Sequence, residues 1–194
     1  MFGLLRKILN QYLLKFKKSK IYNQDTIKKG DRVWLISDTH FGHRNLLRWC
    51  RKGTFKDGKN MNLQIIKNWN HVVKPRDLVF HLGDFGSYRY KKYLNGTIIF
   101  IRGNHDRKTW RKQQIIKYHD LTFLLIHNPR DHTDWFPGDW IIHGHTHINT
   151  PFVYKSKKRV NVSCEVINYR PINLDTIYQI IKESDKYLDD RLYL

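Results

Sequence analysis

The sequence predicts an α/β fold, because short apolar runs alternate along the chain with segments of helical character. The apolar runs have the length of buried strands, and polar or turn-forming residues bound them. Strands that alternate with helices in this way are typical of the α/β class. With 194 residues, the chain is expected to form one domain with a sizeable core.

The first thirty residues are expected to stand apart, as a basic amphipathic helix followed by a linker. Between Phe2 and Phe16, apolar residues recur at helical spacing and lysines and arginines separate them. Arg6 and Lys7 interrupt the apolar stretch, so a signal peptide is not indicated. Three roles stay open for residues 2–18: packing on the domain, contact with an anionic membrane surface, and binding of a partner or polyanion.

The main domain is expected to span residues 31–194. Its predicted strands are the apolar runs Val33–Ile36, Leu78–Phe80, Ile98–Ile101, Leu121–Ile126 and Trp140–Ile142. Helical segments are predicted at Asn45–Cys50, Asn62–His71 and Pro171–Tyr187. The second must end before Pro75, and the third has Asn173 or Asp175 as its candidate N-cap.

Composition limits the classes of function. The formal charge is +19, which attracts polyanions, although scattered lysines that only solvate the surface would give the same total. Hydrophobic residues make up 40% of the chain, which excludes disorder, and no apolar run approaches the roughly 20 residues of a membrane span. The two cysteines, Cys50 and Cys164, lack metal-site spacing, so a reducing, cytoplasmic compartment is expected.

Polar strings that contain metal-ligand residue types follow or include the apolar runs. They are SDTHFGH at 37–43, HLGDFG at 81–86, RGNHDR at 102–107, LLIHNP at 124–129 and IIHGHTH at 141–147. Because each lies where a buried strand ends, several strand ends of one sheet can bring these side chains to a single site. Imidazoles, carboxylates and an amide oxygen suit divalent Mn, Fe, Zn or Co, and a thiolate site is not indicated.

These residues, in this order, resemble the calcineurin-like metallophosphoesterases. The family pattern is present as Asp38-Thr39-His40, Gly83-Asp84, Gly103-Asn104-His105-Asp106, His127 and Gly144-His145-Thr146-His147. The longer string from Asp38 to His43 is similar to a branch of small bacterial and phage hydrolases within that family. The resemblance implies a four-layer α/β sandwich, in which two facing mixed β-sheets are flanked by helices and the site lies at the strand ends.

The resemblance also implies a site for two divalent metal ions. It makes Asp84 the ligand that bridges both ions. It assigns the first ion to Asp38, His40 and His147, and the second to Asn104, His127 and His145. The excess of imidazole over carboxylate favours Mn, with Fe, Zn, Ni or Co as alternatives.

Catalytic and substrate-binding residues are implied beside the metal ligands. His105 matches the family histidine that binds no metal, and such a residue can protonate the leaving group. Asp106 is expected to hold the His105 ring in one tautomer. Two residues are candidate substrate contacts: Arg102, and His43, which could instead orient His40.

The expected function is hydrolysis of a phosphate ester, in which a hydroxide that bridges the two metal ions attacks the phosphorus. Short connections between the later motifs leave no room for a large cap domain. An open basic cleft favours a phosphodiester or nucleotide-type substrate, or a nucleic acid, over a phosphomonoester. The alternatives are a phosphomonoesterase and a polyanion-binding protein on the same fold, since a fold does not dictate function.

Overall fold

The computed structural model describes residues 32–131, 138–184 and 189–194. The predicted N-terminal helix and linker, residues 1–30, lie outside the described residues, and so does the expected start of the domain at Asp31. In the described part of the chain, strands alternate with helices, so the fold is α/β as predicted.

The first of two mixed sheets holds the motifs of the N-terminal half. Its strands are β1 (Val33–Ile36), β2 (Leu78–His81), β3 (Thr97–Phe100) and β9 (Ile172–Asn173). They lie in the order β3-β2-β1-β9. The first three run parallel, and β9 is antiparallel to β1. The carboxyl ends of β1, β2 and β3 therefore lie at the same edge.

The second sheet holds the motifs of the C-terminal half. Its strands are β4 (Gln113–Tyr118), β5 (Leu121–Ile126), β6 (Trp140–His143), β7 (Val153–Tyr154), β8 (Arg159–Asn161) and β10 (Arg191–Leu192). They lie in the order β10-β7-β8-β6-β5-β4. Strands β5, β6 and β8 run parallel, and the other neighbours are antiparallel.

The main core lies between the two sheets and draws side chains from both. Leu35 of β1 and Val79 of β2 pack in the same cluster as Phe123 and Leu125 of β5. On β5, Phe123 and Leu125 point into this cluster and Leu124 belongs to another one, as the two-residue period of a strand requires. The two sheets therefore face each other, as expected.

Helix α1 (Gly58–Val72) begins four residues before the predicted segment. The Asp57 carboxylate accepts the N–H of Asn60 at 2.8 Å and so starts the helix earlier than the apolar pattern indicates. The helix ends at Val72, ahead of Pro75, as the proline predicts.

Helix α2 (Leu174–Ser184) begins after Asn173, whose side-chain oxygen accepts the N–H of Asp175 at 2.8 Å. Asn173 is thus the capping residue, and the preceding residues pair in β9 instead of extending the helix. Three other helical stretches among the described residues are 3-10 helices, at Arg44–Arg48, Tyr88–Tyr93 and His147–Asn149. None of the helices in the described ranges is long and apolar enough to cross a membrane.

The two sheets are joined beside the ends of β1 and β8. Ser37 pairs with Ser163, through hydrogen bonds from the Ser37 N–H to Val162 O (2.9 Å) and from the Cys164 N–H to Ser37 O (3.0 Å). The carboxyl ends of the parallel strands of both sheets consequently meet at one edge of the molecule.

The outer face of the second sheet is apolar and buried. Ile115, Leu124, Ile126 and Ile141 form a separate cluster there and are at most 6% exposed. The buried apolar residues of α1 and α2 pack in other clusters. The packing role, one of the three open for residues 2–18, would place the apolar positions of residues 2–16 on a face of this kind.

The packing role predicts that deleting Met1–Lys20 lowers the melting temperature, because each of the four side chains would forfeit about 2 kcal/mol of burial on losing a covering segment. Thermal unfolding of the full and truncated chains measures the change. As a control, a variant with Arg6→Gln and Lys7→Gln keeps the apolar positions and should melt like the full chain. An unchanged melting temperature after truncation, with sedimentation of the full chain on anionic liposomes, would instead support the membrane-surface role.

Candidate metal centre

The seven predicted metal ligands all follow strands that end at the shared edge. Asp38 and His40 follow β1, Asp84 follows β2, Asn104 follows β3, His127 follows β5, and His145 and His147 follow β6. Since these strands are parallel within each sheet and the sheets meet beside β1, their polar ends converge.

Asp84 lies between imidazoles of the two expected ligand sets. Its Oδ2 is 3.4 Å from His127 Nε2 and 3.7 Å from His40 Nε2. One carboxylate oxygen therefore faces both rings, which is the arrangement that a ligand shared by two ions requires.

Asp38, His40 and His147 gather as expected for the first ion. Asp38 Oδ1 is 3.9 Å from Nε2 of both His40 and His147, and ligand atoms of all three residues lie within 4.8 Å of one another. Bonds to a transition metal are about 2 Å long, so two ligands of one ion lie up to roughly 4 Å apart. The spacing suits a single cation.

The residues expected at the second ion also lie together. The ring centroids of His127 and His145 are 5.0 Å apart, and Asn104 lines the same cavity as His127. His127 Nδ1 donates to Leu82 O at 2.8 Å, which directs its Nε2 towards Asp84. Ligand atoms of His127, Asp84 and Asp38 form a second compact group.

The backbone is strained at most of these positions. Five ligand residues have φ between 46° and 67°: Asp38, His40, Asp84, His145 and His147. This left-handed region costs a residue with a side chain about 1 kcal/mol or more. Hydrogen bonds from the N–H of Asp38 to Gly83 O and of His40 to Asp84 O, both 2.9 Å, help to hold the strained loop.

Two glycines allow the loops to approach this closely. A Cβ on Gly103 would collide with the Asp84 carboxylate, and one on Gly144 would collide with the side chains of Ser37 and Asp38. The backbone can therefore surround the ligands only because these two positions lack side chains.

Three ligand atoms are buried and have no hydrogen-bond partner among the described residues: Asp38 Oδ1, His40 Nε2 and His127 Nε2. Leaving a buried polar atom unpaired costs about 1–3 kcal/mol. All three atoms face the two compact groups, where a cation would satisfy them. The residues present therefore fit divalent metal ions.

The protonation states of His40 and Asp84 suit metal binding. Burial lowers the pKa of His40 to about 3, so its ring is neutral and has a free lone pair. Burial disfavours the charged form of Asp84, but the His127 imidazole, 3.4 Å away, outweighs this and holds the pKa of Asp84 below its ordinary value. Metal ligands must be deprotonated, and these two are at neutral pH.

A buried ion pair behind His147 was not predicted from the sequence. Glu165 Oε1 accepts the Nε–H of Arg51 at 2.7 Å and lies 3.1 Å from His147 Nδ1. Arg51 is fully buried and also donates to the backbone carbonyls of Asp38 and Thr39. Glu165 therefore orients the His147 ring so that Nε2 faces Asp38, and Arg51 holds both the carboxylate and the loop.

The charge of the His147 ring depends on Cys50 and Glu165 beside it. Burial disfavours the charged ring, but hydrogen bonds with the Cys50 thiol and the Glu165 carboxylate outweigh it and raise the pKa of His147 to about 10. In the metal-free protein the ring is therefore positive and offsets nearby carboxylates. A bound cation would take over that role. In the sequence, the one indication of Glu165 is that it follows the short strand β8 and Val162 within a few residues, as the metal ligands follow their strands.

The contacts of Asp106 correct its expected role. Its carboxylate accepts the N–H groups of Asp84, Phe85 and Gly103 at 2.6–3.1 Å, which engages both oxygens. Asp106 thus ties the loop after β3 to the loop after β2, and its hydrogen bonds serve the backbone instead of the His105 ring.

His105 and His43 are exposed at the mouth of the site. The His105 ring centroid is 5.9 Å from that of His40 and 6.3 Å from that of His43. His43 Nδ1 lies 3.1 Å from His40 Nδ1, a hydrogen bond that leaves His40 Nε2 facing Asp84. This contact supports the alternative in which His43 orients His40.

A cavity of about 380 Å³ opens beside Asn104 and His127. Charged side chains in its lining are Arg102, Lys108 and Lys112, against Asp106 and Asp131. Arg102 thus borders the site, as expected of a substrate contact, and the surplus of cations suits an anionic ligand.

The chain is similar to one family model and to several known proteins. The calcineurin-like phosphoesterase superfamily domain matches residues 32–165. An uncharacterized protein of Methanocaldococcus jannaschii is 45% identical over 166 residues, which cover 79% of this chain and 93% of that protein. A protein of unknown function from Aquifex aeolicus has a similar structure, with a TM-score of 0.63 and 25% identity, over 78% of this chain and all of that one. A phosphoesterase from E. coli gives a TM-score of 0.38 and 17% identity, over 68% of this chain and 78% of that chain. The chain belongs to the calcineurin-like phosphoesterase superfamily.

Proposed function

We propose that this protein is a phosphoesterase that uses two divalent metal ions, with Mn most favoured, to hydrolyse a phosphodiester or nucleotide-type substrate. The observation that carries the proposal is the set of buried, unpartnered ligand atoms on Asp38, His40 and His127. They surround the Asp84 carboxylate and lie next to a basic cavity. Membership of the superfamily supports the same chemistry.

Each ion would have four ligands from the chain. One would be held by Asp38, His40, Asp84 and His147, and the other by Asp84, Asn104, His127 and His145. When bound, the ions supply a nucleophile from water at neutral pH and neutralise charge on the phosphoryl oxygens. Four imidazoles against two carboxylates favour Mn over Mg, which prefers oxygen ligands.

The remaining chemistry belongs to side chains at the mouth of the site. His105 is exposed, and its backbone N–H donates to Asp84 Oδ1 at 2.9 Å, which fixes its position relative to the ligands. Its ring would donate a proton to the leaving oxygen, a role that typically contributes about 10²–10⁴-fold to the rate. Arg102 and the two lysines of the cavity would offset the charge of the bound phosphate.

A polyanion-binding protein without hydrolytic activity is the second candidate, and the net charge of +19 favours it. Such a protein would not need three buried ligand atoms without partners, each of which lowers stability. It would also not need the strained backbone at five ligand positions. Both features favour the phosphoesterase.

Activity is expected to be lost on chelation and restored by Mn better than by Mg, because imidazole nitrogens dominate the ligand set. The measurement is a panel of phosphomonoesters, phosphodiesters and cyclic nucleotides, with the chelated protein supplied with Mn, Ni, Zn or Mg. Restoration by Mg alone would contradict the metal assignment. Turnover confined to monoesters would contradict the substrate preference.

Asp84→Asn and His105→Ala are expected to differ in metal content. The first should abolish turnover and lower bound metal, because Asp84 Oδ2 faces ligands of both groups. The second should lower turnover by about 10²–10⁴-fold and keep both ions, because His105 only meets the substrate. Elemental analysis of the purified variants decides this, and metal loss in the His105 variant would count against its role.

Glu165→Gln is expected to weaken metal binding about 10–100-fold, because the carboxylate that orients His147 loses its charge. Titration of the chelated protein with Mn measures the affinity. Glu183→Gln, the same change at an exposed site on α2, is the control and should leave the affinity unchanged. Equal affinities for all three proteins would show that Glu165 does not orient the ligand.

A further inference from the structure

The chain from Ser87 to Lys112 borders the site and is strongly basic. It contains eight lysines and arginines and one acidic residue, Asp106. Both oxygens of the Asp106 carboxylate accept backbone N–H groups. Asp106 is the single carboxylate among eight cations, so this segment presents a positive surface.

Aromatic rings hold several of these cations in place. The distances from cation to ring centroid are 5.2 Å for Arg89 over Tyr90, 5.9 Å for Lys91 over Tyr88, 5.0 Å for Lys92 over Tyr93, and 5.2 Å for Arg107 over Tyr88. A cation that rests on a ring is partly ordered before a ligand arrives, so it loses less entropy on binding. In the described ranges, none of the four forms an ion pair with a carboxylate.

This basic strip, defined as Tyr88–Tyr93 together with Arg107–Lys112, begins at the metal centre. The Tyr88 ring lies 6.4 Å from that of Phe85, the neighbour of Asp84 in the chain. Arg107, which also rests on Tyr88, directly follows the His105 loop. From there the 3-10 helix Tyr88–Tyr93 extends about 10 Å, at roughly 2 Å per residue.

We propose that the basic strip binds single-stranded nucleic acid and leads it to the metal centre. The inference rests on the proposed function and narrows its substrate class. A small ester carries one phosphate, which the cavity cations alone would neutralise. The additional cations of the strip match a ligand with further phosphates along its length.

The aromatic residues of the strip favour a single strand over a duplex. Tyr88 and Tyr93 are 40% and 50% exposed even with cations resting on them, so the uncovered part of each ring is accessible to a base. Stacking on aromatic side chains is a common mode of single-strand binding, and the alternation with cations suits a phosphate backbone. In a duplex the bases stack on one another and cannot reach such rings.

The test is fluorescence anisotropy of a short labelled oligothymidylate with the full chain. A triple variant with Arg89→Gln, Lys91→Gln and Lys92→Gln is expected to bind at least about tenfold more weakly. The slope of log affinity against log salt should become shallower by about 2, since each single-strand phosphate contact contributes roughly 0.7. Thermal unfolding of the triple variant tests whether it is folded.

The matched control removes three cations at the opposite end of the second sheet, by Lys117→Gln, Lys157→Gln and Lys158→Gln. Lys117 pairs with Thr122 at the start of β5, away from His127, and Lys158 directly precedes β8. This variant should bind like the wild type. Equal weakening by both triple variants would overturn the proposal, because net charge alone would then explain binding. A duplex that binds as tightly as the single strand would also overturn the proposal.

The result is separable from that of the proposed function, because anisotropy reports binding whether or not hydrolysis follows. Wild-type hydrolysis of a small diester, with no effect of the strip variant on oligonucleotide binding, would overturn the strip and leave the phosphoesterase in place. Binding that depends on the strip, without metal-dependent hydrolysis of any ester, would support the strip and overturn the phosphoesterase.

Discussion

The structure depends on the balance of charge in a buried cluster of carboxylates and imidazoles. The side chains of Asp38, Asp84 and Glu165 are at most 5% exposed, and a buried ionised carboxylate costs several kcal/mol unless cations compensate it. Arg51 compensates Glu165, whereas Asp38 and Asp84 face histidines with unpaired nitrogens. Divalent ions would satisfy both the charge and the unpaired atoms, which is why this cluster supports a metal centre.

The fold supplies the geometry that this cluster needs. Parallel strands in each sheet end at the same edge, and the pairing of Ser37 with Ser163 brings the two edges together. Each ligand then lies within a few residues of a strand. Gly103 and Gly144 have no side chain, so the loops pack directly against the carboxylates of Asp84 and Asp38. The same edge carries the cavity and the basic strip, so the proposed substrate and metal sites would share one surface.

The sequence predicted the α/β class and the convergence of polar strand ends because both depend on local patterns. An apolar run and the polar residues after it are adjacent in the chain, as in Leu121–Ile126 and His127. It did not predict the Arg51–Glu165 pair, because the partners are 114 residues apart and belong to no motif. The partners of Asp106 were missed for a similar reason, since its hydrogen bonds reach backbone groups about 20 residues away.

The most direct test of the central claim is anomalous diffraction at the Mn edge from crystals of the Mn-loaded protein. Two peaks are predicted, separated by about 3.5–4 Å and bridged by the Asp84 carboxylate. One should contact Asp38, His40 and His147, and the other should contact Asn104, His127 and His145. Absence of both peaks from this cluster, with ordered Mn elsewhere or nowhere, would contradict the account.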